Sequence, residues 1–196
     1  MRPNYAFERT VKQQRNHRRH RVAAQRECQA AEVNMTRYHL AQLNIAAMRE
    51  PLESPSMADF IANLGRINNL AESSAGFVWR LKDESGGAAT AIRPFGDNIL
   101  VNMSVWETIE SLREFAFRTA HAEIMRRRRE WFARMAEVYA VLWWVPVRHV
   151  PSTEEAAQRL SHLREHGPTA HAFTFGSVFP PPSLAGEHAI QSLDDA

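Results

Sequence analysis

ILVNMSVWETIESLREF, residues 99–115, contains a strand followed directly by a capped helix, and these two elements decide the fold. Val101, Met103 and Val105 alternate with a second set of side chains, which is typical of a β-strand with two different faces. The second face carries Leu100, Asn102, Ser104 and Trp106. Thr108 is a favourable N-cap residue. The apolar residues behind it recur at helical spacing: Ile109, Leu112, Phe115 and Ala116.

The residues before this stretch predict a strand, a helix and a second strand. Residues 37–45 (RYHLAQLNI) have the period of two that favours a strand. Ser54 and Pro55 are typical of a helix start. The apolar residues that follow them share one helical stripe: Met57, Phe60, Ile61, Leu64, Ile67 and Ala71. Gly76 ends this helix, residues 77–81 (FVWRL) form the next strand, and residues 83–87 (DESGG) form a turn.

The residues after the stretch predict a broken helix, a strand and a last helix. We expect a helix break near Thr119 and Ala120, followed by a second helical piece through Met135. Residues 139–145 form the fourth strand, which Pro146 closes. Ser152-x-x-Glu155 is a capping box that begins a polar helix ending near residue 167. Residues 172–175 are predicted as a short edge strand.

The order β-α-β-β-α-β predicts an α+β, ferredoxin-like fold with an antiparallel four-stranded sheet, two helices on one face and an extra C-terminal helix. The other face needs a cover, because the strands present Trp79, Trp106 and either Trp143 or Trp144 in addition to the helix-facing residues. Exposed apolar patches of this size usually mark interfaces or ligand sites. We therefore predict a homodimer in which two sheets pack face to face.

Composition limits the class of protein. The chain of 196 residues is 44% hydrophobic and has one cysteine, so a disulfide framework within the chain is excluded and a cytoplasmic location is expected. No run of about 18 apolar residues occurs, which argues against a membrane helix. Residues 1–34 carry eight basic and three acidic groups, a net charge of +5, which leaves −3 for the rest. Charge alone does not predict nucleic-acid recognition.

Three segments follow from these patterns. Residues 1–35 are predicted to be a basic, disordered arm or a mis-started extension. Residues 36–179 form the domain, and residues 180–196 are predicted to be a flexible tail.

Several stretches of the domain resemble one bacterial protein family. They are RYHLAQLNIA (37–46), MADFIANLGRINNLAE (57–72), GFVWRLKD (76–83), NMSVWETIESLREF (102–115), AHAEIMRRRREWF (120–132) and VLWWVP (141–146). Together they are similar to the bacterial domain-of-unknown-function family 3291, which is assigned to the dimeric α/β-barrel superfamily. The resemblance covers about residues 36–179 and implies a small-molecule cavity between the sheet and its helices. Members of that superfamily include cofactor-free monooxygenases, isomerases, polyketide cyclases and haem enzymes.

Two histidines take positions that resemble those of one branch of this superfamily, the stress-responsive branch that contains olivetolic acid cyclase. His39 takes the position of the histidine that begins the first strand, and His121 that of the histidine in the second helix. Where the branch usually has His-Pro-x-His, this chain has Arg118-Thr119-Ala120-His121.

The residues themselves make His121 and His39 the candidate catalytic groups. A neutral imidazole takes a proton from a phenol or an acidic carbon near neutral pH. If the two rings converge, one acts as the base while the other orients or protonates the substrate. The alternative is a histidine whose ring nitrogens are satisfied by backbone carbonyl groups. We predict an enclosed pocket between the sheet and the second helix, with His121 in its wall and His39 across it.

The candidate substrate-binding residues are Trp79, Trp106, Trp143, Asn102 and Arg118. For the tryptophans, packing in the core or at an interface is the alternative role. His162 and His166 have the i, i+4 spacing of a metal pair, but no third ligand is evident, so no metal is predicted.

Two functions of different classes remain open. The first is a cofactor-independent enzyme with monooxygenase-, isomerase- or cyclase-like proton chemistry on an aromatic or polyketide-like substrate. The second is a protein that binds haem or another hydrophobic ligand without turnover, and a purely structural dimer is a third alternative.

Overall fold

The computed structural model describes residues 37–182. Its strands are β1 (Tyr38–Ala47), β2 (Phe77–Arg80), β3 (Ile99–Trp106) and β4 (Ala140–Pro146). Its helices are α1 (Ala58–Glu72), α2 (Ile109–Arg118), α3 (His121–Arg127) and α4 (Thr153–His166). Short 3-10 turns precede α1 (Pro55–Met57) and follow α3 (Arg128–Glu130). The predicted arm at residues 1–35 and most of the predicted tail lie outside the described residues.

The four strands form one antiparallel sheet in the order β2-β3-β1-β4, which confirms the predicted four-stranded sheet. The two central strands pair over their whole lengths, and Asn44 lies directly opposite Asn102. Side chains alternate between the two faces of a strand. We call the face that carries Leu40, Gln42 and Asn44 the helix side, because α1 and α2 pack there. We call the face that carries Ala41, Leu43 and Ile45 the α4 side, because only α4 of the described helices packs there.

α1, α2 and the segment that follows α3 pack on the helix side. Thr108 caps α2 as predicted, because its Oγ1 accepts a hydrogen bond of 3.1 Å from the Ser111 backbone N–H. α2 buries Leu112 and Phe115 in a cluster with Leu40 and Trp106 of the sheet. A second apolar cluster lies on the same side around Leu100 and includes Met57, Trp131 and Phe132.

The predicted break between α2 and α3 is confirmed. Thr119 leaves the helical conformation, with φ −107° and ψ −176°, and its hydroxyl donates a hydrogen bond of 2.6 Å to the Phe115 carbonyl oxygen. α3 then packs mainly on α2 and on the following 3-10 turn, and none of its residues, His121–Arg127, is buried. After the break, α3 adds only the partly buried Ile124 to the cluster around Leu100.

The α4 side is covered by the chain itself, which removes the reason for the predicted sheet-to-sheet homodimer. The predicted capping box forms its Ser152 half, since the Glu155 backbone N–H donates to Ser152 Oγ at 3.1 Å. α4 then buries Ala156, Leu160 and Leu163 against the sheet. This apolar stripe contains only three residues in a mostly polar helix, so the sequence pattern did not reveal it. The homodimer stays an untested prediction.

The free edge of β4 has a short partner rather than the predicted strand over residues 172–175. Phe173 and Leu142 exchange backbone hydrogen bonds of 2.8 and 2.9 Å in a single bridge. Among residues 37–182, no helix is long and apolar enough to cross a membrane.

Candidate functional site

The predicted site residues do not converge, because they lie on two sides of the sheet. His39 pairs with Val145, Trp79 with Val105 and Trp143 with Ala41, and paired residues of antiparallel strands point to the same face. Those three residues therefore belong to the α4 side. Trp106 belongs to the helix side, in the cluster with Phe115. The prediction that His39 faces His121 across one pocket is thus wrong, since the sheet separates them.

The tryptophans of the α4 side pack in the core. Trp143 is fully buried, and its Nε1 donates a hydrogen bond of 2.9 Å to the Glu155 carboxylate of α4. The same carboxylate contacts the His149 ring at 2.7 Å. Trp79 is half-buried on the edge strand and packs against the same cluster. This side is filled by α4, and its tryptophans hold that helix in place.

A row of four aromatic rings occupies the place where the enclosed pocket was predicted. The ring centroids of Phe77 and Trp106 are 5.3 Å apart, those of Trp106 and Phe115 are 5.1 Å apart, and those of Phe115 and His121 are 4.8 Å apart. Trp106 is completely inaccessible to solvent. Because neighbouring rings are in contact, the space between β3 and α2 is packed at this point.

His121 closes this row as a neutral imidazole. Its Nδ1 lies 3.1 Å from the Ala116 carbonyl oxygen. A carbonyl oxygen only accepts hydrogen bonds, so Nδ1 carries the proton and Nε2 has the free lone pair. Burial lowers the pKa of His121 from its ordinary value of 6.5, and the hydrogen bond to Ala116 opposes this shift only in part. His121 therefore has the protonation state of a base, although the backbone satisfies one of its nitrogens.

Next to the aromatic row, a hydrogen-bonded group of polar side chains crosses the two central strands. Trp106 Nε1 donates to Ser104 Oγ at 2.9 Å, and Ser104 Oγ donates to Gln42 Oε1 at 3.2 Å. Gln42 Nε2 donates to Asn44 Oδ1 at 3.0 Å and to the Asn102 carbonyl oxygen at 3.2 Å. We call Gln42, Asn44, Asn102 and Ser104 the polar row. It lies between the two apolar clusters of the helix side.

Asn102 marks the open end of the polar row. It is the fourth residue of a central strand, yet its side chain is exposed. α1 contacts the two apolar clusters through the partly buried Phe60, Ile67 and Leu70, and Asn102 between these clusters stays exposed. Within residues 37–182 the side-chain amide of Asn102 has no hydrogen-bond partner. Asn44, which lies directly opposite it, is half-buried. The two amides form an accessible polar floor between apolar walls.

The sequence prediction included Asn102 but missed Gln42, Asn44 and Ser104 as a group. A signal was present, because Gln42 and Asn44 interrupt the apolar residues of β1 at the same two-residue spacing as Asn102 and Ser104 in β3. Only the register of the two strands shows that these four side chains meet.

The remaining predicted residues lie elsewhere. Arg118 is exposed at the end of α2 and forms an ion pair of 3.3 Å with Glu114. His162 contacts the rings of both His166 and His171, and its Nε2 bonds to the Thr169 hydroxyl at 3.0 Å. In the described part of the chain no group of three or more metal-ligating side chains is arranged to hold a metal ion.

The protein is thus an α+β chain with a four-stranded antiparallel sheet, a helical layer on each face and an open polar row on the helix side. The model of a domain of unknown function, DUF3291, matches residues 39–189. The chain therefore belongs to the DUF3291 family, in agreement with the resemblance found in the sequence.

Two further comparisons add little to this assignment. The crystal structure of the NE2512 protein of unknown function from Nitrosomonas europaea is similar, with 14% identity and a TM-score of 0.37. The similarity covers 59% of this chain and 94% of that one. No curated protein matches the sequence.

Proposed function

We propose that this protein binds a small organic molecule on the helix side of its sheet, with Asn44 and Asn102 as the polar contacts. The observation that carries the proposal is the exposed amide of Asn102 in the middle of a central strand. Central positions of a covered sheet are normally buried and apolar. Small-ligand sites combine apolar walls with a few polar groups. The surroundings of Asn102 have this composition, since its side-chain amide has no partner among the described residues and lies between two apolar clusters.

The fold that we propose also favours a ligand on the helix side of the sheet. The strand order β2-β3-β1-β4, with α1 between β1 and β2 and α2 between β3 and β4, supports a ferredoxin-like topology. We propose that the chain is a member of the dimeric α/β-barrel superfamily, whose ligands lie between the sheet and these helices. A sheet-to-sheet homodimer is left out of the proposal, because α4 occupies that face.

The chemistry of the polar row indicates the class of ligand. Asparagine amides both donate and accept hydrogen bonds, which suits hydroxyl and carbonyl oxygens. The apolar clusters on either side, around Leu100 and around Trp106, suit a ring or an alkyl body. An aromatic or polyketide-like molecule with oxygen substituents combines both features, and it is the substrate class expected from the sequence.

His121 favours an enzyme as a second candidate function. As a neutral imidazole with a free Nε2 lone pair on the helix side, it has the properties of a proton acceptor for a phenol or an acidic carbon. Such chemistry requires no organic cofactor. A haem ligand at His121 is the alternative use of the same Nε2 atom, since haem iron is commonly held by a histidine nitrogen. The absorption spectrum after addition of haem tests that alternative directly.

Replacing Asn102 by Leu is expected to weaken ligand binding by about tenfold or more, since each lost hydrogen bond to a buried ligand oxygen costs on the order of 1–2 kcal/mol. Phloracetophenone, a hydroxylated aromatic ketone, is a suitable probe. Its binding is measured from the side-chain amide signal of Asn44, which the wild type and the variant both have, in a nitrogen-15 NMR titration. The free energy of unfolding should stay within about 0.5 kcal/mol, because the Asn102 side chain makes no hydrogen bond in the described residues.

Asn98→Leu is the matched control, since Asn98 is also exposed and lies just before the same strand. It should leave probe binding unchanged. Acetophenone, which lacks the hydroxyl groups, should bind more weakly than the probe. Equal binding of the probe by the wild type and by Asn102→Leu would rule out the site.

Replacing His121 by Asn is expected to reduce the pH dependence of stability. Because burial lowers the pKa of His121 in the folded protein, the unfolded chain binds more protons below its ordinary pKa of 6.5. The stabilisation from the neutral ring is therefore complete above pH 6.5 and is lost as the pH falls below it. Urea unfolding on both sides of that pH should show a smaller change for the variant. An unchanged slope would contradict a partly buried His121 that is neutral in the folded protein.

His171 also has a lowered pKa, caused first by burial and then by Arg159. Its protonation therefore changes the free energy of unfolding with pH in the same direction. The test of His121 is the difference between the pH dependence of the wild type and that of the His121→Asn variant. An Asn side chain keeps an N–H donor near the position of Nδ1, which limits other losses.

A further inference from the structure

A second concave site lies at the end of the sheet where β1 finishes and β4 begins. It is a cleft of about 450 Å³ whose lining includes Arg49, Arg128, Arg129, Arg134, Phe132 and Tyr139. Small-ligand sites in proteins typically have volumes of about 300–1,000 Å³. We call this site the arginine cleft. It is separate from the polar row, because none of its lining residues belongs to that row.

Backbone hydrogen bonds hold the two walls of the arginine cleft together. The Arg49 backbone N–H donates to the Trp131 carbonyl oxygen at 2.9 Å, and that of Ala133 donates to the Ala47 carbonyl oxygen at 2.9 Å. The Arg49 side chain is also fixed, since its Nε donates to the Phe132 carbonyl oxygen at 3.3 Å. Among residues 37–182 its terminal nitrogens have no hydrogen-bond partner. The fold thus sets the backbone on both sides of the cleft and the position of Arg49 Nε.

Arg128 and Tyr139 form a rigid part of the lining. The Arg128 guanidinium lies 4.5 Å from the centroid of the Tyr139 ring, and its Nη1 donates to the Tyr139 hydroxyl at 2.7 Å. A guanidinium that is stacked on an aromatic ring has lost much of its conformational freedom and keeps its remaining N–H donors in a fixed plane. Such a group is prepared to bind an oxyanion.

The charge of the arginine cleft is not neutralised by neighbouring carboxylates. Among the described residues, only uncharged side chains accompany the four arginines in the lining. The nearby Glu130 is paired with Arg127 at 2.8 Å, and Glu137 is paired with Arg164 at 3.2 Å. In the part of the chain that the structure describes, Arg129 and Arg134 have neither an ion-pair nor a hydrogen-bond partner. Four cationic groups in one concavity repel one another unless an anion lies between them.

We propose that the arginine cleft binds a phosphate monoester whose organic part is apolar. A phosphate monoester carries nearly two negative charges and three acceptor oxygens near neutral pH, enough to engage several guanidinium groups at once. A single carboxylate has one charge and two oxygens, which one arginine satisfies. Phe132 and Met135 offer apolar surface in the same cleft for the organic part. The proposal is independent of the function assigned to the polar row.

Calorimetric titration with phenyl phosphate tests the proposal on the full chain. We expect one molecule to bind per chain, with an affinity that falls as salt is added. Phenol should not bind measurably, and inorganic phosphate and phthalate should bind at least about tenfold more weakly than phenyl phosphate. The double variant Arg129→Gln and Arg134→Gln should lose about tenfold or more in affinity. These two side chains are exposed and unpaired within the described residues, so their replacement should not affect folding.

Arg126→Gln is the matched control, because Arg126 is exposed on α3 and is not part of the cleft lining. It should bind phenyl phosphate like the wild type. The proposal is overturned if phenyl phosphate does not bind, if the double variant binds it as well as the wild type does, or if Arg126→Gln weakens binding equally. Phthalate binding as tight as that of phenyl phosphate would overturn the assignment to a phosphate.

Discussion

Leu160→Ala is expected to lower the free energy of unfolding by about 2–5 kcal/mol, the usual cost of truncating a fully buried leucine. Leu160 is 1% exposed and lies in the cluster that α4 forms with Leu43, Met103 and Trp143 of the sheet. The loss should be large because α4 is the layer that covers this face. Urea unfolding followed by circular dichroism measures it.

Gln158→Ala is the control for this prediction, since Gln158 is exposed on the same helix. It should change the free energy of unfolding by no more than about 0.5 kcal/mol. A similarly small effect of Leu160→Ala would mean that α4 does not pack on the sheet in solution. The face would then be free for the sheet-to-sheet homodimer, and sedimentation should detect that dimer.

Trp106→Ala is expected to lower the free energy of unfolding by about 3–5 kcal/mol. The indole is completely buried, contacts the rings of Phe77 and Phe115, and donates a hydrogen bond to Ser104. The substitution leaves a large cavity in the row and a buried hydroxyl without its donor. A ligand-binding tryptophan, as the sequence suggested, would instead cost affinity and little stability.

Trp79→Ala separates these two roles. Trp79 was predicted to bind substrate together with Trp106, but it is half-buried on the edge strand of the α4 side. Its replacement should cost clearly less than that of Trp106 and should leave probe binding at the polar row unchanged. Equal losses of stability for the two variants would show that Trp106 has no special part in the core.

Local patterns predicted most of the elements. The strand Ile99–Trp106 has the predicted limits and faces, Thr108 caps the next helix, and the chain breaks at Thr119 as expected. These features depend only on residues that are close in the sequence. Examples are the alternation along a strand and a cap hydroxyl whose partner lies three residues away. They are therefore readable without knowledge of the tertiary contacts.

The errors have one physical origin, which is the register between distant strands. Whether His39 and Trp106 share a face depends on how β1 pairs with β3 and β4, and the period of two alone does not fix that choice. The cover of the α4 side was missed for a related reason. Three small or aliphatic residues among polar ones are a weak signal until the sheet that they contact is known.

The polar row also has a direction. The Asn102 backbone carbonyl oxygen can only accept, so Gln42 turns its Nε2 towards it and its Oε1 towards Ser104, whose hydroxyl donates to that oxygen. Gln42 is then left with its Nε2 facing Asn44, and Asn44 must accept through its oxygen. The orientation of the Gln42 and Asn44 side-chain amides is thus dictated by the backbone carbonyl of Asn102. Within residues 37–182 the two side-chain N–H groups of Asn44 have no acceptor, so they favour a ligand atom that brings a lone pair, such as the oxygen of a ketone or a phenolate.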